Sequence, residues 1–430
     1  MDTVTGKRLN ELTASEIAAA TTSGRVTCEA VAQAHLERIA ERDPAVFAWY
    51  HHDPEHVLKQ ARALDRGPKQ GALYGVPFGI KDIIDTYDLP TEYGSPIYKG
   101  CRPADDAACV ALSRKAGGVL LGKTVTTEFA NRHPGATRHP MDPTRTPGGS
   151  SSGSAAAVGD RMVPLAIGTQ TTASTIRPAA FNGCVGYRPT WGELSCSGVR
   201  QASGTLDTLG LISRSVEDIA LWRAVLLGTA PEPIADAAAP RIGFCRTPMW
   251  NKVDSVYQTK IEDAAQRLAR AGAKVTDVTL PPDFERLQDA HRWISSYEFA
   301  RNFTHEIEHH WEQISETLRN NRLKDGLSCP YARYREAITL ADDCREQIGA
   351  VWKDYDVLIG ASSDGEAPVG LNATGDASFC VIWTTMHVPA VTLPMFTGRN
   401  NLPLGLQVIA PRREDARLFS HAQWIFRALS

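Results

Sequence analysis

The chain has 430 residues, with 46 basic and 49 acidic side chains and a formal net charge of −3 at pH 7. That near balance argues against a polyanion-binding protein, and 43% hydrophobic with 22% charged residues excludes disordered and collagen-like chains. No window approaches the ~18 uninterrupted apolar residues of a membrane helix, and the opening MDTVTGKRLNELTASE is too polar for a secretory signal. The nine cysteines are odd in number and scattered, with no C-x-x-C pair, so the chain reads as a cytoplasmic protein with reduced thiols.

Residues 1–66 read as helices. Thr13 and Glu16 have the spacing of a capping box, and Ile17, Val26, Val31, Ala34, Leu36 and Ile39 recur at roughly helical intervals. From Tyr74 to about Gly210, short apolar runs alternate with Gly, Ser and Pro, as in GVPFGIKD, GGVLLGKT and VPLAIGTQT, the pattern of buried strands ending in turns. The Pro/Ala stretch TAPEPIADAAAP at 229–240 reads as a connection. After it, RIGFC, an amphipathic helix around 255–271 and AKVTDVTL form a predicted βαβ unit. The pattern over 285–348 is helical; DVLIGAS, AVTLP and LGLQVIA then return to strands before a closing helix from about Glu414. Strands at both ends with helices between them predict an α/β fold with a large mixed sheet surrounded by helices, in one domain spanning 1–430 and without internal repeats.

The chemistry points to residues 147–180, PGGSSSGSAAAVGDRMVPLAIGTQTTASTIRPAA, where small residues and hydroxyls crowd two turns. Such turns let backbone N–H groups approach a ligand and can expose a serine for attack; the plain alternative is a flexible linker. Three schemes compete. Gly149–Gly153 matches G-x-S-x-G and nominates Ser151, although RHPMDPTRTP rather than a strand precedes it and no downstream histidine stands out. A serine activated by a buried lysine nominates Lys81 at the end of VPFGI, whose structural alternative is a snorkelling lysine or an ion pair with Asp82. A phosphate cradle lacks the G-x-x-x-x-G-K-[ST] motif. From another class, His305, Glu306 and His309 fit the H-E-x-x-H of a zinc peptidase, but the surrounding RNFTHEIEHHWEQ has the charge of an exposed helix and no third ligand is nominated.

Gly-Gly-Ser-Ser-Ser-Gly-Ser followed by Gly-Thr-Gln-Thr-x-x-Ser-x-Ile-Arg-Pro-Ala resembles the signature of the amidase signature family. GVPFGIKDIIDT, DAACVALSRKAGGVLLGKTVTTEFA, FNGCVGYRPT, GTLDTLGLISRSVEDIAL, WTTMHVPAVTLP and LPLGLQVIAP are similar to further blocks in the family order, so the resemblance covers about 75–430. It implies the amidase signature fold, divided into N-terminal helices (1–66), a signature core (67–228), a variable helical substrate-pocket region (229–348) and closing strands and helix (349–430). It also implies amide hydrolysis by a Ser–cis-Ser–Lys triad without a metal or other cofactor. By position the nucleophile is Ser174, the serine on the cis peptide is Ser150, and the base is Lys81. The oxyanion would face the backbone N–H groups of Thr171, Thr172, Ala173 and Ser174. Glu128, Ala130, Ser151 and Trp383 are the expected substrate contacts. The implied substrate is a small carboxylic amide, with an aryl amide or carbamate favoured by HRWISSYEFARNF (291–303) and Trp383. No nucleic acid or membrane partner is expected, and a homodimer is compatible. The family also contains the amidase subunit of tRNA-dependent amidotransferases, from which the T-Q-T-x-x-S-x-I-R-P form of this chain departs toward the free-standing amidases. One departure from the family pattern is Thr172 and Ala173 where two glycines are usual, which would cost ~1–2 kcal/mol if either needed φ > 0.

Overall fold

The computed structural model describes residues 3–4 and 6–430. Its strands are β1 (Thr3–Val4), β2 (Lys7–Arg8), β3 (Trp49–His52), β4 (Pro77–Lys81), β5 (Val119–Thr124), β6 (Leu165–Gln170), β7 (Val185–Arg188), β8 (Thr208–Ser213), β9 (Arg241–Phe244), β10 (Lys274–Asp277), β11 (Val357–Ala361), β12 (Ala390–Thr397) and β13 (Pro403–Ile409). β1 and β2 form a separate small hairpin. The other eleven form one mixed sheet in the order β10-β9-β11-β13-β12-β7-β8-β6-β4-β5-β3. β4 runs parallel to both β5 and β6, while β6, β8, β7, β12 and β13 run antiparallel in succession. The predicted βαβ unit is present: β9 and β10 are parallel and joined by the helix Ser255–Arg270.

Central strands are buried on both faces, which is why they read as unbroken apolar runs. Their side chains alternate between two packed layers: Leu165 and Ile167 lie in one, Ala166 in the other. The second layer contains the helix Ser152–Gly159, whose Ala155, Ala156 and Ala157 let it sit close to the sheet. Two glycines are fixed by close approach. A Cβ on Gly168 would fall 2.4 Å from Ser151 Oγ, and one on Gly210 would fall 1.9 Å from Thr175 Oγ1, so β6 and β8 can carry nothing larger beneath the two serine-rich turns.

At the N-terminus the helix Ala14–Thr22 is capped as its sequence predicts: Thr13 Oγ1 accepts from Glu16 N–H at 3.2 Å, and Glu16 Oε2 accepts from Thr13 N–H at 2.8 Å. The first 66 residues are not purely helical, however. β3 pairs antiparallel with β5 through a bulge and closes one end of the sheet. Its WYHH sequence has only one buried side chain, Trp49, too short an alternation to signal a strand by itself. Among the described residues no helix is long and apolar enough to cross a membrane.

Candidate active site

Lys81 ends β4 and is fully buried. Its Nζ lies 2.6 Å from Ser150 Oγ and 2.8 Å from Thr169 Oγ1 on the neighbouring β6. Burial pushes the Lys81 ammonium down to about 7, against the pull of the Asp207 charge. The ion-pair alternative is answered by the next strand: Asp82 pairs with buried Lys123 at 3.2 Å, and Lys123 Nζ also donates to Ile84 O and Thr91 Oγ1, both at 2.6 Å. Among the described residues Lys81 contacts two hydroxyls and no carboxylate, an environment that suits a neutral amine.

Ser150 follows a cis Gly149–Ser150 peptide bond. The turn that carries it is held from two sides. Arg177 donates to Gly149 O at 2.5 Å, to Gly375 O at 3.0 Å and to Thr374 Oγ1 at 3.1 Å. Ser151 N–H donates to Ser174 O at 3.3 Å, tying the first serine turn to the second. Ser150 and Ser174 both line one cavity of about 540 Å³, together with Thr171, Thr172 and Ala173.

The second turn follows β6. Gln170 Oε1 accepts from Thr175 N–H at 3.0 Å and Ile176 N–H at 3.1 Å. Among the described residues, the N–H groups of Thr171, Thr172, Ala173 and Ser174 have no acceptor within the protein, so four donors in the cavity-lining segment remain available. The loop is braced from outside by groups that sequence reasoning did not single out. His291 Nε2 lies 3.0 Å from Thr171 O and 3.3 Å from Thr172 Oγ1; Thr384 Oγ1 donates to Thr172 O at 2.7 Å; Thr171 Oγ1 donates to Asp207 at 2.6 Å. Burial lowers His291 to about 4, so it is a neutral imidazole donating to the Thr171 carbonyl at neutral pH. His291 opens the aromatic stretch 291–303, and nothing in local spacing marks it, because its partner lies on another element.

Thr172 and Ala173 do not adopt positive φ. The strain considered for these two positions is therefore absent, and the Thr172 side chain is instead placed against His291.

The expected substrate contacts divide. Ala130 lines the cavity, where Phe129 and Ala130 take left-handed φ values of 48° and 57°. Glu128 sits behind the wall, accepting from Ser315 N–H at 3.2 Å and Ser95 Oγ at 3.4 Å. Ser151 is buried with its Oγ accepting from Thr169 N–H at 3.2 Å, which locks it against β6 and removes it from a nucleophile's position. Trp383 is a core side chain packed with Ala173 and Ile176.

The H-E-x-x-H residues do not assemble a metal site. They lie on the short helix Thr304–His309, where buried Glu306 accepts from Arg200 Nη2 at 2.5 Å and from Tyr98 Oη. Among the described residues no group of three or more His, Cys, Asp or Glu side chains is arranged to hold a metal ion.

A model of the amidase family matches residues 30–419. The chain belongs to the amidase signature family. It is 32% identical over 95% of its length to a subunit of the glutamyl-tRNA(Gln) amidotransferase of Streptomyces coelicolor, and covers 94% of that relative. Its fold superposes on a crystal structure of an amidase with a TM-score of 0.90 at 27% identity, covering 97% of this chain and 100% of the other. On the native peptide amidase of Stenotrophomonas maltophilia the TM-score is 0.83 at 28% identity, with 97% of each chain covered. As a member of this family the chain is a hydrolase of C–N bonds.

Proposed function

We propose that the chain hydrolyses a small carboxylic amide through a Ser174 acyl-enzyme, with Lys81 and Ser150 relaying protons. The observation that carries this reading is a fully buried lysine, free of carboxylate contacts, 2.6 Å from a serine that shares a cavity with Ser174. Neutral Lys81 takes a proton from Ser150, Ser150 takes one from Ser174, and Ser174 Oγ attacks the carbonyl. The negative charge on the carbonyl oxygen is met by the N–H groups of Thr171–Ser174, which have no competing acceptor. The proton then returns along the same chain to the leaving amine, and water repeats the sequence on the acyl-enzyme. His291 and Asp207 keep the donor loop in place and do not themselves exchange protons with substrate.

A second reading is supported by the relatives. The identity to the glutamyl-tRNA(Gln) amidotransferase polypeptide extends over nearly both chains, and it favours an amidase that works with protein partners over a free-standing enzyme. Both readings use the same acyl-enzyme. Release of ammonia or amine from aliphatic amides, glutamine, p-nitroanilides and carbamates, and of p-nitrophenolate from p-nitrophenyl esters, measured on the wild type and Ser174→Ala, separates them. Turnover of small amides by the isolated chain, abolished in the variant, supports the first; activity that appears only on addition of partner proteins supports the second.

A further inference from the structure

The hydroxyl of Thr172 has a hydrogen that the protein does not use. His291, on the helix Leu287–Asn302, places Nε2 3.0 Å from Thr171 O and 3.3 Å from Thr172 Oγ1. A carbonyl oxygen can only accept, so Nε2 carries a hydrogen whatever the charge of the ring, and that N–H is shared between the carbonyl and the hydroxyl oxygen. Thr172 Oγ1 is therefore an acceptor toward His291 and cannot donate to it. Among the described residues no other partner lies within hydrogen-bond distance of Thr172 Oγ1, which leaves its O–H free. The hydroxyls beside it are spent: Thr171 Oγ1 donates to Asp207 at 2.6 Å, and Thr384 Oγ1 donates to Thr172 O at 2.7 Å.

The free donor borders the cavity. Thr172 is half-buried and lines the same space as Ser174, two residues further along the turn. Thr384 fixes its carbonyl, and Asp207 fixes the residue before it, so the hydroxyl is held in place before any ligand arrives. The wall continues through Gln288, Ser295 and Ser296 of the helix that carries His291, and among the described residues no aromatic side chain lines this cavity. Hydroxyl and amide groups suit a polar acyl group better than an aryl one, because a donor covered by an apolar group loses its water and gains no acceptor. The family pattern has glycine at position 172, so this donor is an addition of the present chain.

We propose that the Thr172 hydroxyl, oriented by His291, determines specificity by donating to an oxygen acceptor on the acyl part of the substrate, an ether, hydroxyl or keto oxygen close to the scissile carbonyl. This rests on the amide-hydrolase reading. Thr172 belongs to the turn whose N–H groups face the carbonyl oxygen, so its side chain meets atoms near the reacting carbon and not a distant tail. His291 acts through Thr172 as a positioning residue. No bond is made or broken at the hydroxyl.

The test compares methoxyacetamide with butyramide, which has the same shape with a methylene in place of the ether oxygen. In Ser174→Ala protein, where no turnover is needed, NMR titration should show methoxyacetamide binding at least ~5-fold tighter than butyramide. Thr172→Val, which keeps the shape and removes the hydroxyl, should bring the two affinities together, while Thr172→Ser retains the preference. In the Ser174-intact enzyme, Thr172→Val should lower kcat/KM for methoxyacetamide at least ~5-fold and change that for butyramide less than ~2-fold, and Thr172→Ser should restore the difference. Failure of either amide to bind, equal binding of the two, or an undiminished preference in Thr172→Val would each overturn the assignment. An equal fall in kcat for both amides would also overturn it, by giving the hydroxyl to the developing oxyanion. Selective binding of the ether amide with no ammonia release from any amide would leave the Thr172 assignment standing and remove the hydrolase reading instead.

Discussion

Asp82 faces Lys123 at 3.2 Å, and this leaves its chain neighbour Lys81 without a carboxylate. β4 and β5 run side by side with Ile80 opposite Lys123 and Lys81 opposite Thr124. Two buried lysines thus end adjacent parallel strands in different surroundings. Lys123 has an anion and a carbonyl to stabilise its charge; Lys81 has two hydroxyls and an ordinary ammonium would be poorly served there.

Lys81 should therefore control the pH dependence of acylation. Its folded pKa lies below the free value, so lowering pH through about 7 protonates the base and removes activity, and raising pH through the same range restores it. The pH profile of kcat/KM for an amide should show a rising limb near that value. Lys81→Ala should lose at least ~10³-fold in kcat for an amide and less for a p-nitrophenyl ester, whose phenolate leaves without a proton. Equal losses on both substrates at every pH would dismiss the relay.

Ser174 should carry the acyl group. Intact-mass spectrometry after a fluorophosphonate is expected to show one adduct on the tryptic peptide containing Ser174. Ser151, buried and bonded to Thr169, should remain unmodified; a label there would revive the elbow scheme.

Because Thr172 and Ala173 are unstrained, restoring glycine should not stabilise the protein. Thr172→Gly is expected to lower stability by roughly 0.5–1 kcal/mol through the freer unfolded chain, and to change the acyl groups accepted by removing the Thr172–His291 contact. Urea unfolding and the substrate panel measure the two effects. A more stable glycine variant would contradict the negative φ.

Chelation should leave activity unchanged, as should His305→Ala combined with His309→Ala. Glu306 has a structural role, and Glu306→Ala should cost about 1–3 kcal/mol by leaving Arg200 and the Tyr98 hydroxyl without their acceptor. Stoichiometric zinc whose removal abolishes turnover would overturn this.

His35 offers a stability test independent of catalysis. It is fully buried, with Nδ1 3.1 Å from Met162 O, and burial lowers it to about 3. Its folded pKa lies below its unfolded value, so the unfolded chain takes up the proton first as pH falls. Its contribution is complete above about 6.5 and is lost progressively toward pH 3. Relative to His35→Leu, the wild type should lose about 2 kcal/mol between pH 7 and pH 5 in urea unfolding. A gap constant with pH would mean that His35 is protonated in the folded state.

Much of this molecule was legible in the sequence because it depends on local pattern. Buried strands such as VPFGIK and VPLAIGTQ are continuous apolar runs because both faces of the central sheet are covered, and the Thr13 cap is a four-residue interaction. The serine-rich turns stand out because glycine and serine are required where a helix and a strand approach closely. What the chain could not declare were relations across the sheet. Whether Asp82 answers Lys81 or Lys123 depends on the register of β4 against β5, and side chains of neighbouring residues on a strand point to opposite faces. His291 reaches Thr171 from 120 positions away, and Glu306 meets Arg200 from 106 away, so the one becomes part of the site and the other leaves it. Trp383, aromatic and close in space to the Thr171–Ser174 turn, packs into the core behind it, because composition records what a residue can contact while only the packed fold determines which face of the wall it occupies.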